Sequence, residues 1–255
     1  MWRLKDDDTG DHCAGACPQR SFNGAFCLPP TAVVFLLAGN VSIWRKNMEI
    51  VIKALKPDMA EAYLDFFDCR AFSDGSPYYP CYCNAFNMSA AEIDAMREEA
   101  KGYGGGTEGW KRALRESASR LVKEGRIRGY LAFDGETAVG WCNANDRLNY
   151  CRVGEFDLDH VPEDRPPDCR RVGQVKSVVC FEICPEYRGR GIATMLLRRV
   201  CGDAEAEGYD CIEGYPTLNA EAAMAFTGPA ALYRKMGFTE YARSGNTAVM
   251  RKAFR

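Results

Sequence analysis

A mixed α/β fold is what the sequence predicts, and three observations carry that prediction. Short apolar or alternating runs recur along the chain, as in "MEIVIKAL", "RGYLAFDG" and "VKSVVCFEIC". They have the length and period of strands. Between them lie runs with apolar residues at helical spacing, such as Trp110, Leu114, Ala118, Leu121 and Val122. Third, "CPEYRGRGIATMLLRR" (Cys184 to Arg199) joins an apolar run to a helix-like one through two glycines set between arginines.

The elements follow in order. Met48 opens an alternating strand. "MAEAYLDFFDCRAF" carries Tyr63, Phe66, Phe67 and Ala71 at helical spacing, and "SPYYPCYCNAF" is a loop with two prolines and paired thiols. "SAAEIDAMREEA" predicts a short helix ended by Gly104–Gly106, with Thr107 as N-cap of the next. Two strands follow, turning at Asp134–Gly135. Leu148–Arg171 is polar and proline-bearing and reads as a long excursion. A strand, the glycine turn, the helix "IATMLLRRVCGDAEAEG", the strand "CIEGYP", the helix "PAALYRKM" and two closing strands complete the chain. Residues 1–47 lack any sustained period. They are expected to be an irregular extension, either disordered or ahead of the true start, with one domain over residues 48–255.

The chain has 255 residues, enough to bury a full core. Its 33 Lys+Arg against 35 Asp+Glu provide no bulk basic field for nucleic acid or a membrane surface. "AVVFLLAGNVSIW" (Ala32–Trp44) is too short to span a bilayer and is interrupted by Gly39 and Asn40. The 13 cysteines are odd in number and lack a repeated spacing, and no secretory signal is convincing. Reduced thiols and a cytoplasmic location are the expectation. His12, Cys13, Cys17 and Cys27 match no metal-ligand spacing, so no metal is expected. Monomer and homodimer both fit the composition.

The glycine–arginine turn has a specific physical use. The first amides of a helix starting near Gly191 have no internal partners and sit at the positive end of its dipole. Gly189 and Gly191 remove side chains that would hold a ligand off the backbone, and Arg188 and Arg190 add charge suited to phosphate. The bland alternative is a solvated turn without a ligand. A Walker loop is excluded, because no Gly-Lys-Ser/Thr follows. A dinucleotide fingerprint would need glycine at Thr194 and more chain than the 64 residues after Gly191. A disordered Arg-Gly RNA element should be repeated, and this one occurs once.

"RGRGIA" (Arg188–Ala193), with a strand before it and "LYRKMGF" (Leu232–Phe238) near the C-terminus, resembles the GNAT superfamily of acetyl-CoA-dependent N-acetyltransferases. The resemblance covers Gly129–Arg251 well and Met48–Gly125 more loosely. "CYC" at Cys81–Cys83, "GWC" at Gly140–Cys142 and "EGYP" at Glu213–Pro216 are similar to an uncharacterised bacterial branch. The family fold would be a twisted, mostly antiparallel sheet with a splayed parallel pair at the coenzyme site and helices on both faces. Two departures stand out: Phe226 sits where many members carry a coenzyme-contacting asparagine, and the loop Thr217–Gly228 is long. Asn219 lies too far ahead of Tyr233 to take that asparagine's role.

The resemblance implies a site. Arg188, Gly189, Arg190, Gly191, Ile192 and Ala193 would hold the pyrophosphate of acetyl-CoA, and the backbone of Phe181, Ile183 and Cys184 would line the pantetheine arm. An amide near Ile183 or Cys184 would be the oxyanion donor. Tyr233 would protonate the departing thiolate, and Glu182, the carboxylate within the motif strand, would be the base for a primary amine attacking directly in a ternary complex. Ordered water could replace a single base. Transfer through Cys184 or Cys142 is disfavoured, because the motif region has no histidine to activate a thiol and His160 lies in the excursion. Trp141, Tyr82, Phe86 and Tyr215 would wall an acceptor pocket or pack the core. The rival class is a coenzyme-binding sensor without turnover, kept open by Phe226.

Overall fold

The computed structural model describes residues 49–76, 79–151, 174–218 and 226–254. The readings placed on residues 1–47, on most of the 148–171 excursion with His160, and on Asn219 lie outside them.

Among the described residues seven strands form one sheet. They are β1 (Ile50–Ala54), β2 (Gly129–Asp134), β3 (Thr137–Asp146), β4 (Val175–Ile183), β5 (Cys211–Gly214), β6 (Thr239–Ser244) and β7 (Thr247–Ala253). Their spatial order is β1-β2-β3-β4-β5-β7-β6. Every neighbouring pair is antiparallel except β4–β5. That exception requires a crossover, supplied by helix α4 (Ile192–Ala206).

Helices cover both faces. On one lie α1 (Ala60–Cys69), α2 (Ala90–Gly102) and α3 (Gly106–Lys123); on the other lie α4 and the short α5 (Ala230–Lys235). Adjacent residues of β3 show the division, since successive strand side chains point to opposite faces. Trp141 is fully buried against Tyr63 of α1, rings edge to face at 4.9 Å. At Gly140 a Cβ would meet Ile192 of α4 at 3.1 Å.

Ser89 caps α2, its hydroxyl accepting from the Glu92 amide while the Glu92 carboxylate accepts from the Ser89 amide. Arg126 pairs with that carboxylate at 2.6 Å. The Arg126 hydrogen bond, with the Ser89 amide, holds Glu92 down to about 2. The expected Thr107 cap gives way to Gly105, because α3 begins two residues earlier than that cap would set, at Gly106. Gly104, Gly105 and Gly106 all take positive φ, so the chain reverses through backbone that only glycine adopts cheaply. Gly109 then lets α3 lie close on α2: a Cβ there would be 2.5 Å from the Ala100 carbonyl oxygen.

The parallel pair is pinned just before it ends. Its rungs run from Val175↔Cys211 to Val178↔Gly214, and over Val179–Ile183 β4 continues beside β3 without β5. Glu213, fully buried, accepts at Oε1 from Arg251 Nε (2.8 Å) and Nη2, and at Oε2 from the Tyr215 hydroxyl (3.0 Å) and Arg147 (3.4 Å). Tyr215 in turn accepts from Ser177 Oγ at 2.7 Å. The Arg251 guanidinium lies 3.4 Å from the Tyr241 ring centroid. A carboxylate out of water is tolerated only when paired and hydrogen-bonded in this way. The network ties β3's end, β4, β5 and β7 together at the rung before the strands part.

Candidate functional site

Beyond Ile183 the chain makes a tight turn over Pro185–Tyr187 and enters α4 at Gly191. The Tyr187 hydroxyl anchors the turn on Asp134 at 2.9 Å. Gly189 (φ 73°) and Gly191 (φ 81°) are left-handed, and a Cβ at either would meet nothing within 4 Å. Backbone conformation, not crowding, calls for glycine here, and the space above the turn is open. No side chain caps α4, so its first-turn amides face that space.

The two arginines behave differently from a bare phosphate clamp. Arg188 donates to the Ile183 carbonyl (3.0 Å) and to Glu182 (3.2 Å), and it pairs with Asp74 from the loop after α1. Arg190 lies over the Tyr187 ring at 5.2 Å. Arg188 therefore organises the carboxylate side of the site, while the turn offers backbone amides.

Where β4 leaves β5, its outward amides become available. The Phe181 amide donates to the Phe226 carbonyl at 2.6 Å, so the loop ahead of α5 lies along this edge. Strand alternation turns the Ile183 amide to the same side. The Cys184 amide instead donates to the Val139 carbonyl of β3 at 3.0 Å, so of that pair only the Ile183 amide faces outward. Tyr233 of α5 stands beside the edge, fully buried, its ring 6.4 Å from Phe181 and 5.3 Å from Phe238. Its hydroxyl donates to the Thr227 carbonyl at 2.6 Å. Burial pushes this phenol well above its ordinary value, so it stays a proton donor. Thr227 Oγ1 is buried beside it without a hydrogen-bond partner. Gly237, at φ 84°, ends α5 and turns Phe238 into the core as its cap position predicts.

Glu182 lies on the opposite face, paired in register with Trp141. Burial raises its carboxyl to about 7 against the pull of Arg188, and Asp74 adds to the rise. A carboxylate that titrates near neutrality can take a proton from an ammonium group. The candidate thiols do not suit nucleophilic work. Burial drives Cys142 well above its ordinary value; burial and a 2.7 Å hydrogen bond to Glu186 push Cys184 up to about 12. Trp141, Tyr82 and Tyr215 are buried core residues, and Phe86 is half-buried.

Asp74 and Thr227 join the site without having been foreseen. Asp74 meets Arg188 across 114 residues of chain, a contact with no local signal. The "EGYP" segment did carry one: Glu213 and Tyr215 build the buried network, and Gly214 makes room for Tyr233. A surface hollow of about 400 Å³ lies elsewhere, between β1 and α4. Its Arg199 is already engaged by Asp203 and the Ile52 carbonyl.

Residues 126–240 match the family model described as an acetyltransferase (GNAT) domain. That stretch is a GNAT domain. It holds the glycine turn, the parting strands and Tyr233 together. No curated protein matches the chain. Among solved structures the GNAT domain and its flanking residues are similar to an N-acetyltransferase from Staphylococcus aureus Mu50, at 15% identity and TM-score 0.43, covering 81% of this chain and 99% of that one. A PaiA N-acetyltransferase from Thermoplasma acidophilum, in complex with coenzyme A, is similar at 14% identity and TM-score 0.45, with 81% and 99% covered. PH1933 from Pyrococcus horikoshii OT3 is similar at 21% identity and TM-score 0.43, with 80% and 98% covered. Among the described residues no helix is long and apolar enough to cross a membrane, and no group of three or more His, Cys, Asp or Glu could hold a metal.

Proposed function

We propose that the protein is an N-acetyltransferase that moves the acetyl group of acetyl-CoA to a primary amine by direct attack in a ternary complex. The observation that carries this reading is the edge of β4 that β5 leaves unpaired beyond Val178, running on through Ile183 to an uncapped helix N-terminus over two left-handed glycines. One feature can pair with an amide-bearing arm and the other can receive a pyrophosphate.

In this reading Arg188, Gly189, Arg190, Gly191, Ile192 and Ala193 hold the pyrophosphate chiefly through backbone amides. Phe181 and Cys184 flank the pantetheine path. Ile183 offers its amide to the carbonyl oxygen as charge develops there. Glu182, ionised above about pH 7, takes the proton of the incoming ammonium. Tyr233 gives its proton to the departing thiolate. Acetyl-CoA supplies the activated acyl group. Residues 48–255 are proposed to suffice for all of this.

A second reading is a module that holds coenzyme A without turnover. It draws on the Phe226 carbonyl, which already engages the Phe181 amide that a pantetheine arm would use. A thiol-release assay across amine classes separates the two. With the full chain and with residues 48–255, acetyl-CoA plus a panel of small amines, aminoglycosides, peptides and lysine-bearing proteins should release free coenzyme A with at least one acceptor. Tight acetyl-CoA binding with no thiol release from any acceptor would leave the holding module as the function.

A further inference from the structure

Glu182 does not have Arg188 to itself. The guanidinium is held through three nitrogens: Nε donates to the Ile183 carbonyl at 3.0 Å, Nη2 to Glu182 Oε1 at 3.2 Å and Nη1 to Asp74 Oδ2 at 2.5 Å. One cation thus stands between two carboxylates, closer to Asp74. The Asp74 side chain is 34% exposed and that of Glu182 only 12%. Burial alone would favour the reverse order, because the deeper carboxylate loses more hydration and has more to gain from a cation.

The loop after α1 is built to put Asp74 there. Asp74 Oδ1 accepts from the Ser76 amide at 3.3 Å, an Asx turn, while Oδ2 takes Arg188. Gly75 between them is left-handed at φ 71°, and its amide donates to the Phe72 carbonyl at 3.1 Å. The Phe72 ring packs on Phe67 of α1, centroids 6.2 Å apart. At the end of that helix Arg70 Nε donates to the Ala138 carbonyl of β3 at 2.9 Å. The carboxylate is therefore fixed to α1 and, through Arg70, to the sheet.

We propose that Asp74 is a positioning residue for the acyl transfer: it draws the Arg188 guanidinium off Glu182, so that Glu182 keeps the affinity for a proton that deprotonating an ammonium group needs. This rests on the reading of Glu182 as the base. A one-to-one pair with Arg188 would favour the anion and make Glu182 a poor proton acceptor. Burial, opposed by Arg188 and helped by Asp74, instead leaves its carboxyl at about 7. The other titratable groups that act on Glu182 are Cys81 and Cys83 of the loop ahead of α2 and Cys180 of its own strand. Glu186, bonded to the Cys184 thiol at 2.7 Å, acts on the same Arg188. Asp74→Asn leaves all of these in place. Its amide oxygen can still accept from Ser76, so the variant removes the charge and keeps the turn.

The test titrates Glu182 directly, by carboxyl carbon NMR of the full chain with labelled glutamate, its signal being the one that Glu182→Gln removes. Asp74→Asn should lower the midpoint by about one pH unit, and Asp74→Glu should hold it near the wild-type value. In an Arg188→Gln background Asp74→Asn should move it less, because the cation through which Asp74 works is gone. With an accepted amine, the acid limb of kcat/KM should move down together with the midpoint. An unmoved midpoint in Asp74→Asn, or an equal shift with and without Arg188, would overturn the proposal. A midpoint that moves while no amine releases coenzyme A would refute the transfer reading instead and leave the hold of Asp74 on Glu182 standing.

Discussion

Gly214 and Tyr233 occupy each other's space. A Cβ on Gly214 would lie 2.1 Å from Tyr233 Cε1 and 2.6 Å from its hydroxyl oxygen. The phenol ring thus fills the room that a side chain on β5 would take, at the last rung before β4 and β5 part. Gly214→Ala is expected to push the ring away and cost about 1–3 kcal/mol, the range for overpacking a filled core. If Tyr233 is the proposed proton donor to the leaving thiolate, turnover should fall more than acetyl-CoA affinity. Thermal unfolding with steady-state kinetics checks both, and unchanged Tm and kcat would refute the relationship's importance.

Tyr233→Phe separates packing from proton donation. The ring stays, and the hydroxyl bonded to Thr227 goes. Turnover should drop by up to about 10²–10³, the range for a lost general acid, with acetyl-CoA affinity little changed. Burial raises the phenol well above its ordinary value, so it stays protonated throughout a normal assay range. The alkaline limb of a pH–rate profile should therefore be the same in both proteins. A wild-type rate in a chemistry-limited assay would remove the acid role.

Glu182 links pH to both activity and stability. Its carboxyl is raised from 4.5 to about 7 in the fold, so between those values the native protein holds a proton that the unfolded chain has released. Stability from this group is present at low pH and is lost as pH rises towards 7, by about 3 kcal/mol in all. As a base Glu182 works only when ionised, so kcat/KM should rise through pH 7. Glu182→Gln should flatten both profiles. A variant with an unchanged acid limb would move the base elsewhere.

Gly191 can be tested without confusing strain with blocking. Its φ of 81° penalises a β-branched residue whatever the space, so Gly191→Val would combine both effects. Asparagine tolerates this conformation better and still projects a side chain over the turn. Gly191→Asn should fold with a far-UV spectrum near wild type and lose the thermal shift given by acetyl-CoA. An undiminished shift would place the coenzyme away from this turn.

Arg251 supports the site from below. Arg251→Met would strip Glu213 of its two closest donors while the carboxylate stays buried, at a cost of about 3–5 kcal/mol. Adding Glu213→Met should restore much of that loss, since the unpaired charge is then gone. Chemical denaturation of the single and double variants measures the difference. A double variant no more stable than the single one would mean that packing, not charge, dominates there.

The elements and the glycine turn were legible in the chain's local pattern. β3 spans Thr137–Asp146 and α4 begins at Ile192, as the apolar periods and the glycines indicate, because these depend on neighbours within a few residues. The start of α3 was misplaced for a related reason: a serine or threonine is a general cap signal, and three left-handed glycines overrode it. Which partners the motif residues meet depends on contacts between distant parts of the chain. Arg188 looks like a phosphate ligand in the sequence, yet Asp74 and Glu182 engage it in the fold. Cys83 looks like any of 13 cysteines until Asn143, 60 residues away, donates to its sulfur and its carbonyl. Local propensity sets which backbone shape each segment takes. Charge pairing, desolvation and proton affinity depend on groups far apart in the chain, and they are fixed only when the fold brings those groups within a few ångströms.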